Sequence, residues 1–257
     1  MWKIIVLAVI CFFMILTGCK EDSTSAVDNG RLRIYLTDAP AVYDSVNITF
    51  TEVSAHLDSD WISVFTEPVT YDLLDLSGGK FEVLGAADVP AGHYTQIRII
   101  IDAAEIGVDG NVYPLEVPSG AQTGLKFGPE FTIAAGSTYE LVVDFDANRS
   151  IVVTGPKSNP TGYKLKPHLR VVAKAIAGSI SGQVTNPENI PVAYAIQGPD
   201  TVTSASINMA DSKFVLGFLP EGFYTVSIRD TLDHSFSQDN VEVNAGADND
   251  LGLLTLQ

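Results

Sequence analysis

Short runs in which apolar residues alternate with other residues constrain this chain most, because a side-chain period of two is that of a β-strand. Leu32, Ile34 and Leu36 alternate with Arg33 and Tyr35. Similar runs lie at 46–50, 97–101 and 139–145, and turn sequences such as Asp109-Gly110-Asn111 separate them. No long stretch has a convincing helical period. The pattern predicts an all-β fold, in the form of two consecutive antiparallel β-sandwich domains.

One predicted strand changes phase along its length. Val46, Ile48 and Phe50 have one parity, whereas Val53 and Ala55 have the other. A β-bulge inserts one extra residue and returns later side chains to the buried face. We therefore expect a bulge near residues 51–52.

The N-terminal segment has the pattern of a secretion signal. Lys3 precedes an uncharged apolar run from Ile4 to Ile15, which is shorter than the roughly 20 residues of a transmembrane helix. A short membrane anchor is the alternative. Leu16-Thr17-Gly18-Cys19 resembles the bacterial lipobox, which implies cleavage after residue 18 and acylation of Cys19. Residues 1–18 are thus predicted to be a lipoprotein signal peptide, and several acyl chains on Cys19 would anchor the chain stably.

A polar tether is expected at residues 19–30, because KEDSTSAVDN follows Cys19. Its first residues, Lys20, Glu21 and Asp22, resemble a surface-export signal of some diderm bacteria. We therefore expect an outer-membrane location, with the cell surface favoured over the periplasmic face. Cys11 lies in the removed segment, so the mature chain would hold no disulfide.

The charge of the chain limits its partners. With 15 Lys and Arg against 31 Asp and Glu, the net charge is −16. Such a chain repels nucleic acid, which we exclude as a partner. Membrane contact is expected through the lipid on Cys19 rather than through the protein surface.

Residues 31–177 resemble a family of exported bacterial domains known as the domain of unknown function numbered 4382. The residues that carry the resemblance are LTDAPAVYDSVNITFTEVSAH (36–56), YDLLDLSGG (71–79), VPAGHYTQIRI (89–99) and YKLKPHLRVV (163–172). The resemblance implies a β-sandwich on an exported lipoprotein and assigns no catalytic residue.

Residues 178–257 resemble the carboxypeptidase-regulatory-like domains of the transthyretin-like sandwich group. The matching residues are Gly182, Val184, Phe214, Leu219, Pro220, Gly222, Tyr224, Val241, Val243 and Gly246. Asp211-Ser212-Lys213 departs from the usual turn of that group. The resemblance implies a stalk or interaction module. A Pro-x-Gly-x-Tyr-Thr sequence occurs at 90–95 and again at 220–225, which is a weak internal echo.

Motifs of catalysis are missing from the sequence. It contains no Gly-x-Ser-x-Gly and no His-Glu-x-x-His, and the histidines at 56, 93, 168 and 234 are scattered. Paired carboxylates occur at Asp144 and Asp146 and at Asp38 and Asp44, but a glycosidase needs two at a set distance across a cleft. We expect a protein that is not an enzyme, with no cofactor and no metal site.

Calcium is the one ion that an acidic exported sandwich could hold. Candidate loops are Asp58-Ser59-Asp60, Asp248-Asn249-Asp250 and the turn at Asp38, none with EF-hand spacing. Asx turns are the favoured interpretation. We expect Asp38 to accept hydrogen bonds from amides of its own turn.

The sequence YKLKPHLRVVAK reads as one closing strand with a basic face. Lys164, Lys166, His168, Arg170 and Lys174 share a parity opposite to that of the apolar residues. One interpretation is a face for an anionic ligand. The other, which we favour, is cross-strand pairing with Glu140, Asp144 and Asp146, because opposite charges pair across antiparallel strands.

Aromatic residues raise the possibility of carbohydrate binding, since sugars stack on exposed rings. Trp61 is expected to lie in the core because a Trp side chain buries a large area. Taken together, these features predict a lipid-anchored cell-envelope protein that acts in binding or assembly, with a glycan or a protein as possible partner. A polysaccharide-acting enzyme and a structural stalk or pilus-associated subunit are the alternatives.

Overall fold

A computed structural model describes residues 28–156 and 160–257. The predicted signal peptide, Cys19 and the charges at Lys20, Glu21 and Asp22 lie outside the described residues. The all-β prediction is confirmed, because twenty strands account for most of the described chain. No helix within these two ranges is long and apolar enough to cross a bilayer.

The first sandwich consists of thirteen strands in two sheets. They are β1 (Asn29–Ala39), β2 (Ser45–Leu57), β3 (Asp60–Phe65), β4 (Val69–Asp72), β5 (Glu82–Pro90), β6 (Gly92–Val108), β7 (Asn111–Glu116), β8 (Leu125–Phe127), β9 (Phe131–Ile133), β10 (Thr138–Asp146), β11 (Ile151–Thr154), β12 (Gly162–Leu165) and β13 (Leu169–Ala173). A four-stranded sheet has the order β13-β10-β1-β5. A nine-stranded sheet has the order β11-β12-β7-β6-β2-β3, with β4 on β2 and with β8 and β9 on β6.

Two short α-helices and one 3-10 turn interrupt these strands. They are α1 (Ser119–Thr123), α2 (Ala147–Ser150) and the 3-10 turn Leu73–Leu76. The facing sheets enclose one apolar core, in which Leu32, Ile34, Phe50 and Phe145 are fully buried.

The predicted bulge in β2 is confirmed. In the pairing of β2 with β6, Phe50 lies opposite Ile101 and Glu52 opposite Ile100, so Thr51 has no partner. Val46, Ile48 and Phe50 before the bulge and Val53 and Ala55 after it are all buried. The extra residue thus keeps both halves of the strand on the core.

The second sandwich has seven strands and its own core. They are β14 (Ala177–Val184), β15 (Val192–Gln197), β16 (Asp200–Ser206), β17 (Lys213–Pro220), β18 (Gly222–Arg229), β19 (Ser235–Val243) and β20 (Asp248–Leu254). The sheet orders are β17-β14-β20 and β16-β15-β18-β19. Two 3-10 turns, Lys174–Ile176 and Pro187–Asn189, lie before and after β14.

Three strand pairs run parallel, which differs from the antiparallel prediction. They are β1 with β10, β7 with β12 and β14 with β20. Alternation along one strand carries no information about the direction of its neighbour, so the sequence pattern could not distinguish the two.

Both sandwiches share one chain topology. In each, the first strand of the shared motif pairs in parallel with a later strand, which is β10 for β1 and β20 for β14. It pairs antiparallel with a strand that lies between those two in the chain, which is β5 for β1 and β17 for β14. The facing sheets repeat the order too, since β3-β2-β6-β9 corresponds to β16-β15-β18-β19. The first sandwich is therefore an enlarged version of the second.

The repeated Pro-x-Gly-x-Tyr-Thr sequence has the same structure in both sandwiches. Tyr94 donates its hydroxyl to the carbonyl of Pro90 at 2.7 Å, and Tyr224 donates to Pro220 at 2.8 Å. Both tyrosines are buried. Each turn thus ties the end of one strand to the start of the next across the sandwich edge.

Candidate functional site

The predicted basic face does not lie on one strand. Lys164 belongs to β12 in the nine-stranded sheet, whereas Arg170 belongs to β13 in the four-stranded sheet. Pro167 lies between the two strands and has no N–H to donate to a ladder, so the chain leaves one sheet here and enters the other. Hydrogen bonds from Lys166 N to the Ser150 carbonyl and from His168 N to Ser150 Oγ hold the crossing.

The first three predicted basic residues are spread over exposed positions. Lys164 lies 2.9 Å from Glu116, and that pair is largely solvent-exposed. Lys166 and His168 are exposed in the crossing segment. Lys164 and Lys166 do not form a single surface with Arg170 and Lys174, whereas His168 lines an open groove together with Arg170.

Arg170 lies at the junction of the two sandwiches. Its Nη2 donates to Asp144 Oδ2 at 2.6 Å, and its Nη1 donates to the carbonyl of Phe218 at 2.7 Å. Asp144 belongs to the first sandwich and Phe218 to the second, so one guanidinium joins both. The hydroxyl of Thr203 in β16 also donates to Asp144 Oδ2, at 3.3 Å. The predicted cross-strand pairing of Arg170 with Asp144 is confirmed.

The backbone of Phe218 is unusual at this contact. Its φ of 53° lies in the left-handed region, which costs a residue with a side chain of the order of 1 kcal/mol. Phe218 also packs edge to face against Phe81 of the first sandwich, with ring centroids 5.5 Å apart. Contacts to the other sandwich therefore accompany the strained conformation.

Lys174 lies beside this junction in an aromatic setting. Its ammonium is 3.4 Å from Glu140 and lies 4.3 Å from the centre of the Tyr35 ring and 5.4 Å from that of Phe81. Tyr35 donates its hydroxyl to Glu140 at 2.6 Å. This hydrogen bond and the charges of Lys174 and Arg33 outweigh the effect of burial and lower the pKa of Glu140. The predicted pairing of Lys174 with Glu140 is thus confirmed.

Three buried polar atoms near the junction lack a hydrogen-bond partner among the described residues. They are Asp38 Oδ2, Asp144 Oδ1 and Arg170 Nε. A cavity of about 10 Å³, lined in part by Asp38, Asp144 and Thr203, adjoins the two carboxylates. That volume is close to the minimum that one water molecule needs. The polar lining fits a water that bridges the two sandwiches.

Asp38 accepts an amide hydrogen bond, but not from its own turn as expected. Its Oδ1 accepts from Ala147 N at the start of α2, at 2.8 Å. Asp38 is 5% exposed. Burial above all, and then the carboxylates of Asp144 and Asp146, raise the pKa of Asp38 well above its usual range. The carboxyl therefore joins β1 to a segment more than one hundred residues away in sequence.

The calcium candidates remain separate from one another. Asp248 accepts hydrogen bonds from Ser179 Oγ and Ser181 Oγ, each at 2.6 Å. Asp58 has a φ of 53° in the turn between β2 and β3. Across the two described ranges, no group of three or more metal-ligating side chains converges.

Three open grooves lie along the junction, and two of them contain lysines. One, of about 330 Å³, is lined by Lys174, Phe218 and Asp248 together with several glycines. The other, of about 400 Å³, is lined by Lys80, Lys213, Asn208 and Asp211 with Ser77 and Ser206. Lys80 comes from the first sandwich and Lys213 from the second, and neither forms an ion pair within the described part of the chain. Volumes of this size are typical of small-ligand sites.

The predicted burial of Trp61 is wrong. Its ring is partly exposed on the outer face of the nine-stranded sheet, 4.6 Å from the Arg98 guanidinium carbon and 4.9 Å from the His56 ring. Sequence reasoning missed Arg98 and Lys126, which both approach this ring. Parity alone could have found Arg98, because it lies between the buried Ile97 and Ile99 and so must point outward.

Comparisons with known proteins agree with the domain resemblance in the first sandwich. The family model described as "Domain of unknown function (DUF4382)" matches residues 29–167. This match ends before β13, which completes the four-stranded sheet. No curated protein matches the chain.

Three solved structures of bacterial proteins match the chain at low similarity. The Bacillus anthracis TIE protein is 12% identical, with 89% of this chain aligned at a TM-score of 0.21, and this chain covers only 34% of that protein. A "putative adhesin" from Bacteroides ovatus is 10% identical, with 88% and 87% of the two chains covered and a TM-score of 0.24. BcpA, the major pilin subunit of Bacillus cereus, is 9% identical, with coverage of 89% and 70% and a TM-score of 0.21. Similarities this distant carry no argument about function.

Proposed function

Since the chain belongs to the DUF4382 family of domains, we propose that it is a non-catalytic protein of the cell envelope that acts in binding or assembly. In this proposal residues 1–18 direct export and Cys19 carries the lipid anchor. Residues 19–30 form the tether, and the two sandwiches provide the contact surface outside the outer membrane. The second sandwich, residues 178–257, serves as a carboxypeptidase-regulatory-like interaction module.

The groove between Lys80 and Lys213 is the observation that supports binding most directly. The two sandwiches contribute one lysine each, and Asn208, Ser77 and Ser206 add hydrogen-bonding groups. Asp211 is the one acidic residue in the lining. In a chain with a net charge of −16, two lysines without carboxylate partners in a common groove favour a partner that carries negative charge.

The carboxylates near the junction favour a structural role over a catalytic one. Asp144 accepts from Arg170 and Thr203, and Asp146 accepts from Arg149 N at the start of α2. Glycosidase chemistry needs one carboxyl that protonates the leaving group and a second that acts as nucleophile or base across the cleft. Each of these carboxylates is instead bound to its own structural partner.

A pull-down with the soluble chain from residue 20 onward tests this proposal. We expect capture of a glycan or an envelope protein, and loss of capture in the double variant Lys80→Gln/Lys213→Gln. Lys166→Gln is the matched control, since Lys166 is exposed but lies away from the groove. Release of reducing sugar from polysaccharide would favour the enzyme, and the absence of any partner would favour the stalk.

Location needs its own experiment. Protease treatment of intact cells should degrade the wild-type protein if it lies on the outer surface. Replacing Lys20, Glu21 and Asp22 with alanine should protect it, whereas Cys19→Ala should release it from the membrane. Unchanged protease access in the triple variant would mean that the three charges only belong to the tether.

A further inference from the structure

Two cations and two aromatic rings meet on the outer face of the nine-stranded sheet of the first sandwich. Trp61 comes from β3, His56 from β2, Arg98 from β6 and Lys126 from β8, and we call these four residues the Trp61 patch. The Arg98 guanidinium carbon lies 4.6 Å and the Lys126 ammonium 5.4 Å from the centre of the Trp61 ring. His56 packs 4.9 Å from the same ring. The patch is separate from the grooves at the junction.

Arg98 is held in place from several sides. Its Nη2 donates to Glu52 Oε1, and its Nε donates to Ser54 Oγ at 3.1 Å. Gly124 lies against its aliphatic stem, because a Cβ there would come within 2.7 Å of Arg98 Cγ and Cδ. Nη1 has no hydrogen-bond partner among the described residues. A guanidinium positioned in this way loses little conformational entropy when it binds a ligand.

Lys126 has a cation–π contact with Trp61 but lacks, among the described residues, a carboxylate that would offset the charge of its neighbours. It lies directly opposite Arg98 in the pairing of β6 with β8, and like charges at opposed positions are destabilising. Glu52 compensates Arg98. Lys126 is exposed and has no carboxylate partner in the described part of the chain.

The second sandwich shows that the topology does not need these cations. The corresponding strands β15, β18 and β19 place Tyr194 opposite Ser227 and Ser227 opposite Ser237. Neighbours on the same strands, Ala193, Val226 and Ile228, are buried, so these three side chains point outward. Uncharged residues therefore suffice at this position of the fold, and the cations of the first sandwich call for another explanation.

We propose that the Trp61 patch binds a short glycan that carries one carboxylated sugar. The indole offers an apolar face for a pyranose ring, and Arg98 and Lys126 offer donors for the carboxylate. His56 shares a hydrogen bond of 2.8 Å with Thr95, and the exposed Gln96 lies opposite His56 in the strand pairing. These polar side chains can form hydrogen bonds with sugar hydroxyls. Asp58, in the turn before β3, and Asp60, the first residue of β3, add negative charge close to Trp61 in the chain and favour a ligand of low charge. The net charge of −16 likewise disfavours a polyanion.

Trp61 itself reports on the site. The only other tryptophan is Trp2, so the soluble chain from residue 20 onward has a single indole. Titration with 3′-sialyllactose should change its fluorescence in a saturable way, and lactose at the same concentrations should not. Loss of one charged hydrogen bond weakens binding by about tenfold or more, so Lys126→Gln and Arg98→Gln should each raise Kd by at least that factor.

Lys166→Gln is the matched control and should leave the titration unchanged, because Lys166 is exposed and lies in the segment between β12 and β13. An equal response to lactose would overturn the carboxylate's role, and an equal response to acetate or phosphate would reduce the patch to a general anion site. A Kd unaffected by Lys126→Gln would also contradict the proposal. Lys126 is exposed, so its variant keeps the test valid even if Arg98→Gln fails to fold. Because the Lys80/Lys213 groove is tested separately, either proposal can fail without the other.

Discussion

At the scale of single residues, Asp38 is the carboxyl whose ionisation is most clearly opposed by its burial. Burial raises its pKa, so the folded state holds a proton over a range where the unfolded chain has lost it. Stability should then fall as the pH rises from the usual carboxyl pKa of about 4 to the raised value, and should stay lower above it. Asp38 therefore destabilises the fold at neutral pH, although Ala147 N donates to it.

Replacing Asp38 with Asn tests this cost. The amide keeps an oxygen for Ala147 N and carries no charge, so Asp38→Asn should raise Tm at pH 7 by about 2–4 °C, the change that roughly 1 kcal/mol produces in a domain of this size. At pH 4 the gain should shrink. Thermal unfolding followed by circular dichroism at both pH values measures it. Asp102→Asn, at an exposed position, should leave Tm unchanged at both pH values. A gain that is equal at both pH values would point to packing instead of charge.

At the scale of strands and turns, the repeated tyrosine hydrogen bond provides a matched pair of tests. Tyr94→Phe and Tyr224→Phe each remove one hydroxyl and leave the carbonyl of Pro90 or Pro220 without its donor. Each variant should lose about 1 kcal/mol of unfolding free energy, the usual net value of such a bond. Urea denaturation measures this loss. Tyr194→Phe is the control, because Tyr194 is partly exposed and its hydroxyl forms no hydrogen bond within the described residues. Equal losses in all three variants would contradict a special role for the turns.

Strands and their faces were largely predictable from the sequence, because burial and side-chain parity are local properties. The phase change between Phe50 and Val53 revealed the bulge in β2. The crossing at Pro167 was not recognised, since the parity of Lys164, Lys166 and Arg170 continues across it without a break. The pairing of Asp144 with Arg170 followed from parity too. The contacts of Thr203 and Phe218 with this pair could not be predicted, because both residues belong to the other sandwich and no local sequence pattern marks them.

At the scale of the whole molecule, the common topology suggests that the first sandwich elaborates a motif that the second keeps in simple form. A glycine occupies the second position of the first strand in each sandwich, Gly30 in β1 and Gly178 in β14. A side chain does not fit at either position, because a Cβ would come within 2.3 Å of Ile133 Cγ2 at Gly30 and within 2.3 Å of the Asn244 carbonyl oxygen at Gly178. Gly136 and Gly246, with φ values of 69° and 67°, close the turns that cover these glycines. The additional strands of the first sandwich, including β7, β11 and β12, extend one sheet without changing this motif.

Contacts between the two sandwiches include the hydrogen bonds of Arg170 with the Phe218 carbonyl and of Arg149 with the Thr201 carbonyl. Removing one member of a buried ion pair leaves the other charge without compensation, at a cost of about 3 kcal/mol. Arg170→Met would leave Asp144, which is 5% exposed, with Thr203 as its one side-chain donor among the described residues. It would also remove the hydrogen bond to the Phe218 carbonyl. We therefore expect lower stability of the first sandwich and weaker coupling to the second.

Differential scanning calorimetry separates these two effects. The soluble wild-type chain should unfold in a single transition, and Arg170→Met should unfold in two, because each sandwich has its own apolar core. The double variant Arg170→Met/Asp144→Asn removes the uncompensated charge, so it should recover part of the lost Tm while still unfolding in two steps. Lys166→Met, a change of the same kind at an exposed position, should keep the single transition. One transition in Arg170→Met would mean that other contacts, such as Phe81 with Phe218 and Arg149 with the Thr201 carbonyl, couple the sandwiches without the Arg170 guanidinium.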